Sequence, residues 1–403
     1  MTITTIDLYD PDGYVAGPPH EAFEQLRRSD PVHWQDMPDG TGYWAVLRYA
    51  DVVEVSRDPV RYSAQVGGVV LEDMPPEQIE QTKNMLLMMD PPRHSTLRKD
   101  TAPCFKAREM AKLEDRVRAI CRTIMAKGAA LGECEFVHDL AAMLPSQVLG
   151  ELLEIPEEDR ASINHWAEMT TGGQDPELNP DGYASSGEGE GSIQMALYGM
   201  EYAKRRRGQG GTDVGALLLA TEIEGRPMTD LEFGYFFVQL VTAGNDTTRT
   251  MLSSGLLALI QHPDQLAVLR ADRSLLPGAV EEILRWANPL HYFRRTATDD
   301  GVLHGQRIAA GDKLGMIYTS ANRDEDVFDD PQRFDIRRNP NPHLSFGIAE
   351  HFCLGVHLAR LEGRVFLDEL LNAFSTIELT GEPRRQRSNL NNALKALPVR
   401  LAP

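Results

Sequence analysis

The stretch Phe346-Gly347-Ile348-Ala349-Glu350-His351-Phe352-Cys353-Leu354-Gly355 decides how this chain is read. It places one cysteine just ahead of a helical pattern, where the positive end of the helix dipole favours a thiolate. Gly347 and Gly355 lie on either side of the sulfur and let the backbone approach a flat cofactor closely. A lone cysteine is by default a packing residue, and the flanking glycines shift that balance toward a metal ligand. The other three cysteines, Cys104, Cys121 and Cys134, have no basic or ligand-type neighbours at a telling spacing and read as packing residues. Four cysteines so spaced support neither a disulfide framework nor a zinc knuckle.

Upstream of this loop, Thr229-Asp230-Leu231-Glu232 has the form of a capping box and opens an apolar stretch to about Ile260. Helical throughout, it would be roughly 45–50 Å long at a rise of about 1.5 Å per residue. Glu232, Gln239, Asn245, Asp246 and Arg249 interrupt the apolar runs, which fits a buried central helix better than a membrane span. Within it, Ala243-Gly244-Asn245-Asp246-Thr247-Thr248 sets small residues and hydroxyls at mid-helix. The glycine costs about 1 kcal/mol of helix stability, and the hydroxyls can bond back to the preceding turn. The segment is therefore either a kink or a place that keeps room for something else.

Further helices are expected over residues 19–28, in several segments from Asp90-Pro91-Pro92 to about 153, and over 156–170 and 192–207. Asp90 reads as an acidic N-cap followed by proline in the first turn. Strand-like pieces fall at 32–34, 43–46, 292–297 and 315–318. Residues 62–89, rich in Gly, Pro and Met, lack a sustained period and read as a long loop and mobile cover. The Gly/Ser/acidic run 172–191 reads as a connector and second cover. The sum is a mainly α fold with minor β, in a single domain over 1–403 with no linker composition to divide it.

The composition, 42% hydrophobic and 25% charged, is that of a globular chain. A net charge of −19 opposes nucleic acid or an anionic membrane surface as the main partner. The first residues, Met1-Thr2-Ile3-Thr4, carry neither a signal-peptide nor a transit pattern. The expectation is a cytoplasmic protein with no stable membrane anchor and no nucleic-acid partner.

The cysteine loop resembles the haem-binding loop of the cytochrome P450 family. The match falls on Phe346, Gly347, His351, Cys353 and Gly355, with Ala359 a further match, while Ala349 stands where the family commonly has glycine. Glu282-Ile283-Leu284-Arg285 resembles the family's Glu-x-x-Arg, and Arg337 in Pro331-Gln332-Arg333-Phe334-Asp335-Ile336-Arg337 its later arginine, which together lock the segment beneath the haem. The resemblance implies a haem-flanking fold with a long central helix, haem b as cofactor and Cys353 as the iron ligand. It implies His94, Arg98, Arg295 and His351 as propionate contacts, with Arg294 the less favoured of its adjacent pair. Ala243 and Gly244 would lie against the haem, Thr247 would hydrogen-bond dioxygen, and Asp246 would relay protons.

On this resemblance the protein is a monooxygenase that uses O2 to hydroxylate a small hydrophobic molecule, such as a steroid, terpenoid or fatty-acid-like chain. Helical spacing puts Gln239, Thr242 and Ala243 on the side of Thr247, and the 289–293 segment with Leu290 and His291 should return over the cofactor. Val69, Val70 and Leu71 complete an apolar lining. No flavin or nicotinamide segment is present, so electrons are expected from a ferredoxin and its reductase. Arg360, Arg364, Lys106, Arg108 and Lys112 offer a basic docking patch. A peroxide-driven peroxygenase and a non-catalytic haem ligand-binding protein are the alternatives; the Asp246-Thr247 pair speaks against the first.

Overall fold

The computed structural model describes residues 7–178, 189–211, 213–223 and 225–403. A central helix, Asp230–Gln261, organises them. Its start is the expected capping box: the Thr229 hydroxyl accepts from the Glu232 backbone N–H, and the Glu232 carboxylate accepts from the Thr229 N–H. Arg226 adds two bonds of 2.8 Å to the same carboxylate, which holds Glu232 down at about 2.

Apolar side chains at the two ends of this helix enter two different cores. Phe233, Phe236, Phe237, Val238 and Val241 pack with helix Glu190–Arg206 and the Met-rich segment around Met85 and Met88. Met251, Leu252, Leu256, Leu257 and Leu259 pack with helices Glu114–Leu131, Leu276–Ala287 and Val356–Ala373. Between the two apolar segments, residues 242–250 are small or polar. A helix that is apolar at both ends and polar in the middle seals two cores and leaves a gap between them, and the site occupies that gap.

The minor β component is chiefly a five-stranded sheet at one edge, in the order Val32–Asp36, Gly42–Val46, Lys313–Ile317, Tyr292–Ala297, Tyr62–Ser63. The first pair is an antiparallel hairpin with Trp34 opposite Trp44, and only the second contact, Leu314 opposite Trp44, is parallel. The strands expected at 32–34, 43–46, 292–297 and 315–318 all belong to it, so β-branched and aromatic content located them.

Two expectations are corrected. Residues 62–89 are not one featureless loop: they hold the strand Tyr62–Ser63, the helix Pro76–Thr82 and a single 3-10 turn Leu86–Met88. Asp90 does not cap the following helix, which begins at Arg93 with Pro92 as its cap residue. Its carboxylate accepts instead from the Ser63 hydroxyl and the Ala64 N–H, tying the edge strand to the helix start. The connector expected at 172–191 falls partly, at 179–188, outside the described residues.

Candidate functional site

The cysteine loop ends in helix Val356–Ala373, capped at Gly355. The Cys353 N–H donates to the Phe346 carbonyl at 2.8 Å, closing the loop on itself. Gly347 needs its lack of a side chain, because its φ of +66° is left-handed. Ala349 takes the same region at +58° with a side chain present, a conformation that costs about 1–2 kcal/mol for an L-residue. Cys353 is half-buried. Burial pushes its thiol up, while the Gly355 N–H and the charges of Arg98 and Arg360 pull it down. A Cβ added at Gly355, or at Gly244 on the central helix, would meet no atom within 4 Å.

Beside the loop the chain gathers two imidazoles, His94 and His351, and two guanidiniums, Arg98 and Arg295, each buried or half-buried. His94 is 1% exposed, and its ring lies 4.4 Å from that of His351. Neither His94 Nδ1 nor His351 Nε2 has a hydrogen-bond partner. Burial, then the charges of Arg295, His94 and Arg98, push His351 down to about 2. Burial also lowers His94, Arg98 and Arg295. Arg295, 4% exposed, donates to the Arg294 carbonyl at 2.8 Å. The carboxylate that approaches the set is that of Glu350, 3.6 Å from His94 Nδ1. The two guanidiniums bring positive charge toward a low-dielectric interior, which is costly unpaired, and the two imidazoles have ring nitrogens without partners, so a buried group carrying negative charge and accepting hydrogen bonds fits this cluster.

Arg294 points elsewhere. Its N–H donates to the Val69 carbonyl at 2.8 Å, and its guanidinium reaches the Val70 and Leu71 carbonyls and the Asp73 carboxylate. It fixes the early segment against the sheet, which explains why Val69 and Val70 face inward.

A cavity of about 190 Å³ lies beside the central helix and is lined by Val69, Val70, Gln239, Thr242, Ala243, Asp246, Thr247 and Leu290 among others. Two expected lining residues are not part of it. Leu71, 1% exposed, packs with Tyr14, Phe23 and Tyr43. His291 is turned away, its ring 4.8 Å from that of Tyr14 and its Nδ1 2.9 Å from the Thr319 hydroxyl. Both were assigned by sequence adjacency, which does not fix the direction of a side chain in a bent segment. Reading the sequence missed Met85, Leu87 and Met88, although the Met-rich run was a usable signal. It also missed Thr171, Gln174, Ser388 and Asn391, which lie in turn-forming segments with no periodicity.

On the cavity wall the Thr247 hydroxyl donates to the Ala243 carbonyl at 2.6 Å, the expected bond to the preceding turn, and the helix runs on unbroken. Asp246, buried one residue earlier, is ion-paired with Arg249, whose other nitrogen is 3.0 Å from Glu168.

Beneath the loop, Glu282 and Arg285 form a fully buried pair with two bonds of 2.8 Å. Arg285 also donates to the carbonyls of Asn322, Pro331 and Arg333. The second arginine on Glu282 is Arg338, at 3.2 Å, and not Arg337, which is exposed. The one-residue shift follows from the turn at Asp335, whose carboxylate accepts the Arg337 N–H and turns that side chain outward.

The expected basic patch is largely neutralised. Arg360 is paired with Glu281, Arg364 with Glu114, and Lys112 with Glu109. Lys106 and Arg108 are exposed beside a groove of about 250 Å³. Ala359 is partly buried against the larger core.

The family model described as "Cytochrome P450" matches residues 200–401. The steroid C26-monooxygenase of Mycolicibacterium smegmatis is 37% identical over 94% of this chain and 89% of its own length. The methyl-branched lipid omega-hydroxylase of Mycobacterium bovis is 38% identical over 94% and 90%. A cytochrome P450 of Mycobacterium marinum, solved in complex with pseudoionone, superposes with a TM-score of 0.88 at 36% identity, covering 99% of each chain. Among the described residues no helix is long and apolar enough to cross a membrane.

Proposed function

Because the chain belongs to the cytochrome P450 family and is a haem b monooxygenase that hydroxylates hydrophobic molecules, we propose that Cys353 holds its iron and that the cavity beside Thr247 receives the substrate. The observation that carries this reading is the gathering of His94 and Arg295, both buried, with the half-buried Arg98 and His351 beside the Cys353 loop, approached by one carboxylate, Glu350, 3.6 Å from His94 Nδ1. Two haem propionates are the negative charge that such a set would hold. Gly347 and Gly355 keep the loop backbone low, Phe346 accepts the Cys353 N–H, and Ala243 and Gly244 leave room on the opposite side.

Bound haem with a thiolate ligand supplies the electron-transfer and dioxygen-cleaving chemistry. The protein's part is placement and protons. Thr247 lines the cavity and donates its hydroxyl to the Ala243 carbonyl, and released from that bond it would be the group to donate to dioxygen. Asp246 passes protons inward, with Arg249 fixing its carboxylate. Glu282, Arg285 and Arg338 hold the segment under the loop in place.

Val69, Val70, Gln239, Thr242, Ala243 and Leu290 form the wall that a steroid, terpenoid or fatty-acid-like chain would meet. The steroid and methyl-branched lipid activities of the two relatives support the steroid and fatty-acid-like parts of that range. Electrons come from a ferredoxin and its reductase, docking where Lys106 and Arg108 flank the groove beside Arg360. The chain acts as a single domain over 1–403, in the cytoplasm.

The test is turnover with ferredoxin, reductase, NADH and isotopically labelled dioxygen. The substrates are sterols, terpenes and fatty acids chosen by their ability to shift the haem from low to high spin. One labelled oxygen per product molecule is expected. Product formed with hydrogen peroxide but not with the electron-transfer proteins would overturn the reading in favour of a peroxygenase.

A further inference from the structure

The wall of the cavity opposite the central helix is built from two segments far apart in sequence. The tip of the hairpin formed by Arg384–Arg385 and Leu394–Ala396 meets the end of helix Glu157–Thr171. Asn391 Nδ2 donates to the Thr171 carbonyl at 2.8 Å, Gln386 Nε2 to the same carbonyl at 2.9 Å, and the Asn389 N–H to Gln174 Oε1 at 3.0 Å. The tip is also sewn to the segment crossing the cavity, His291 N–H to the Leu390 carbonyl at 2.7 Å and Asn392 N–H to the Pro289 carbonyl at 3.0 Å. Three polar residues are thereby held rigidly at the cavity surface: Ser388, Asn391 and Gln174.

Their unused capacity follows from the bonds already made. The Thr171 carbonyl requires a donor, so Asn391 turns its nitrogen there and keeps Oδ1 as an acceptor. The Asn389 N–H requires an acceptor, so Gln174 uses Oε1 and keeps Nε2 as a donor. Ser388, 3% exposed, accepts from the N–H groups of Leu390 and Asn391 at 3.1 and 2.9 Å and keeps its hydroxyl proton. Two donors and one acceptor on residues that line the cavity are thus left without partners among the described residues, in a lining that also includes Gln239, Thr242 and Thr247.

Charge is the other half of the argument. Among the described residues the one ionisable lining residue is Asp246, an acid. Of the nearby cations, Arg387 is paired with Asp12 and Lys395 with Asp175 and Glu177, and Arg385, whose guanidinium donates to Asn392 Oδ1 at 3.0 Å, is not among the lining residues. A carboxylate brought into this cavity would lose its hydration and gain no cation, a cost that neutral donors do not repay.

We infer that the cavity selects an uncharged apolar molecule bearing a hydroxyl, whose oxygen accepts from Ser388 and Gln174 and whose proton is donated to Asn391 Oδ1, and that it rejects the carboxylate of the same skeleton. The inference rests on the substrate reading of this cavity and narrows it from lipids in general to neutral oxygenated ones.

The test is equilibrium binding to the purified haem-loaded protein at pH 8, read as the spin-state shift. It uses matched alcohol, alkane and carboxylate on three skeletons: an unbranched C12 chain, an acyclic terpene and a sterol side chain. The alcohol of at least one skeleton binds about tenfold more tightly than its alkane and its carboxylate. Asn391→Leu and, as a milder change, Ser388→Ala each reduce the preference over the alkane several-fold, with alkane affinity and haem content retained. A carboxylate that binds as tightly as its alcohol, an alcohol preference untouched in both variants, or no alcohol binding by protein with a normal thiolate-type carbon monoxide spectrum would overturn the inference alone. Absence of that spectrum would overturn the haem-thiolate reading beneath it.

Discussion

Arg249 lies one turn beyond Asp246 on the central helix and holds its carboxylate in a buried ion pair. A second bond from the same guanidinium, 3.0 Å to Glu168, reaches the helix Glu157–Thr171 that closes the cavity. The acid assigned to proton delivery is therefore fixed in position by a partner that also touches the cavity wall.

If Asp246 passes protons and Thr247 positions dioxygen, the two substitutions fail differently. Asp246→Asn lowers kcat by about 10²-fold, the lower end of what a positioned acid contributes, and increases the solvent isotope effect. Thr247→Ala keeps haem, substrate binding and NADH consumption but diverts electrons into hydrogen peroxide. Steady-state turnover with peroxide and product both quantified separates them, and an unchanged product yield per NADH in Thr247→Ala would contradict the role of that hydroxyl.

Glu282 carries Arg285 and Arg338 but not Arg337. Arg338→Ala leaves a buried carboxylate short of a partner and destabilises the fold by about 3 kcal/mol, whereas Arg337→Ala, at an exposed position, changes stability by less than about 0.5 kcal/mol. Urea unfolding of the two variants distinguishes the assignments.

Glu362 is buried 3.5 Å from the Thr248 hydroxyl, and burial raises its carboxyl from 4.5 to about 8. In this window the folded state binds a proton that the unfolded state has released, so stability falls as pH rises from 4.5 toward 8 and levels off above. Glu362→Gln cannot ionise. Its melting temperature should match wild type near pH 4.5 and exceed it by several degrees at pH 8; a constant difference across that range would refute the buried-acid assignment.

Ala349 carries a left-handed backbone where a glycine would be unstrained. Ala349→Gly should raise stability by up to about 1 kcal/mol with an unchanged haem spectrum. A loss of stability in thermal unfolding would show that the Ala349 methyl packs usefully.

What the sequence makes legible here is local. The cysteine loop, the Thr229–Glu232 capping box and the sheet strands are each specified within a few neighbouring residues, so their chemistry and geometry could be read directly. Arg337, Leu71 and His291 lie elsewhere than expected because their directions depend on a turn at Asp335, on the Arg294 bonds and on the packing against Tyr14. Ser388, Asn391 and Gln174 were invisible for a different reason. More than 200 residues separate the two segments, and a cross-fold hydrogen-bond network, not a pattern along the chain, makes them one surface.

The most direct test is the carbon monoxide spectrum of the reduced, purified protein beside that of Cys353→Ser. Wild type is expected to show the band at the position specific to a thiolate ligand, and the serine variant to lose it while remaining folded. A wild-type protein without that band, or a variant that keeps it, would contradict the assignment of the iron to Cys353.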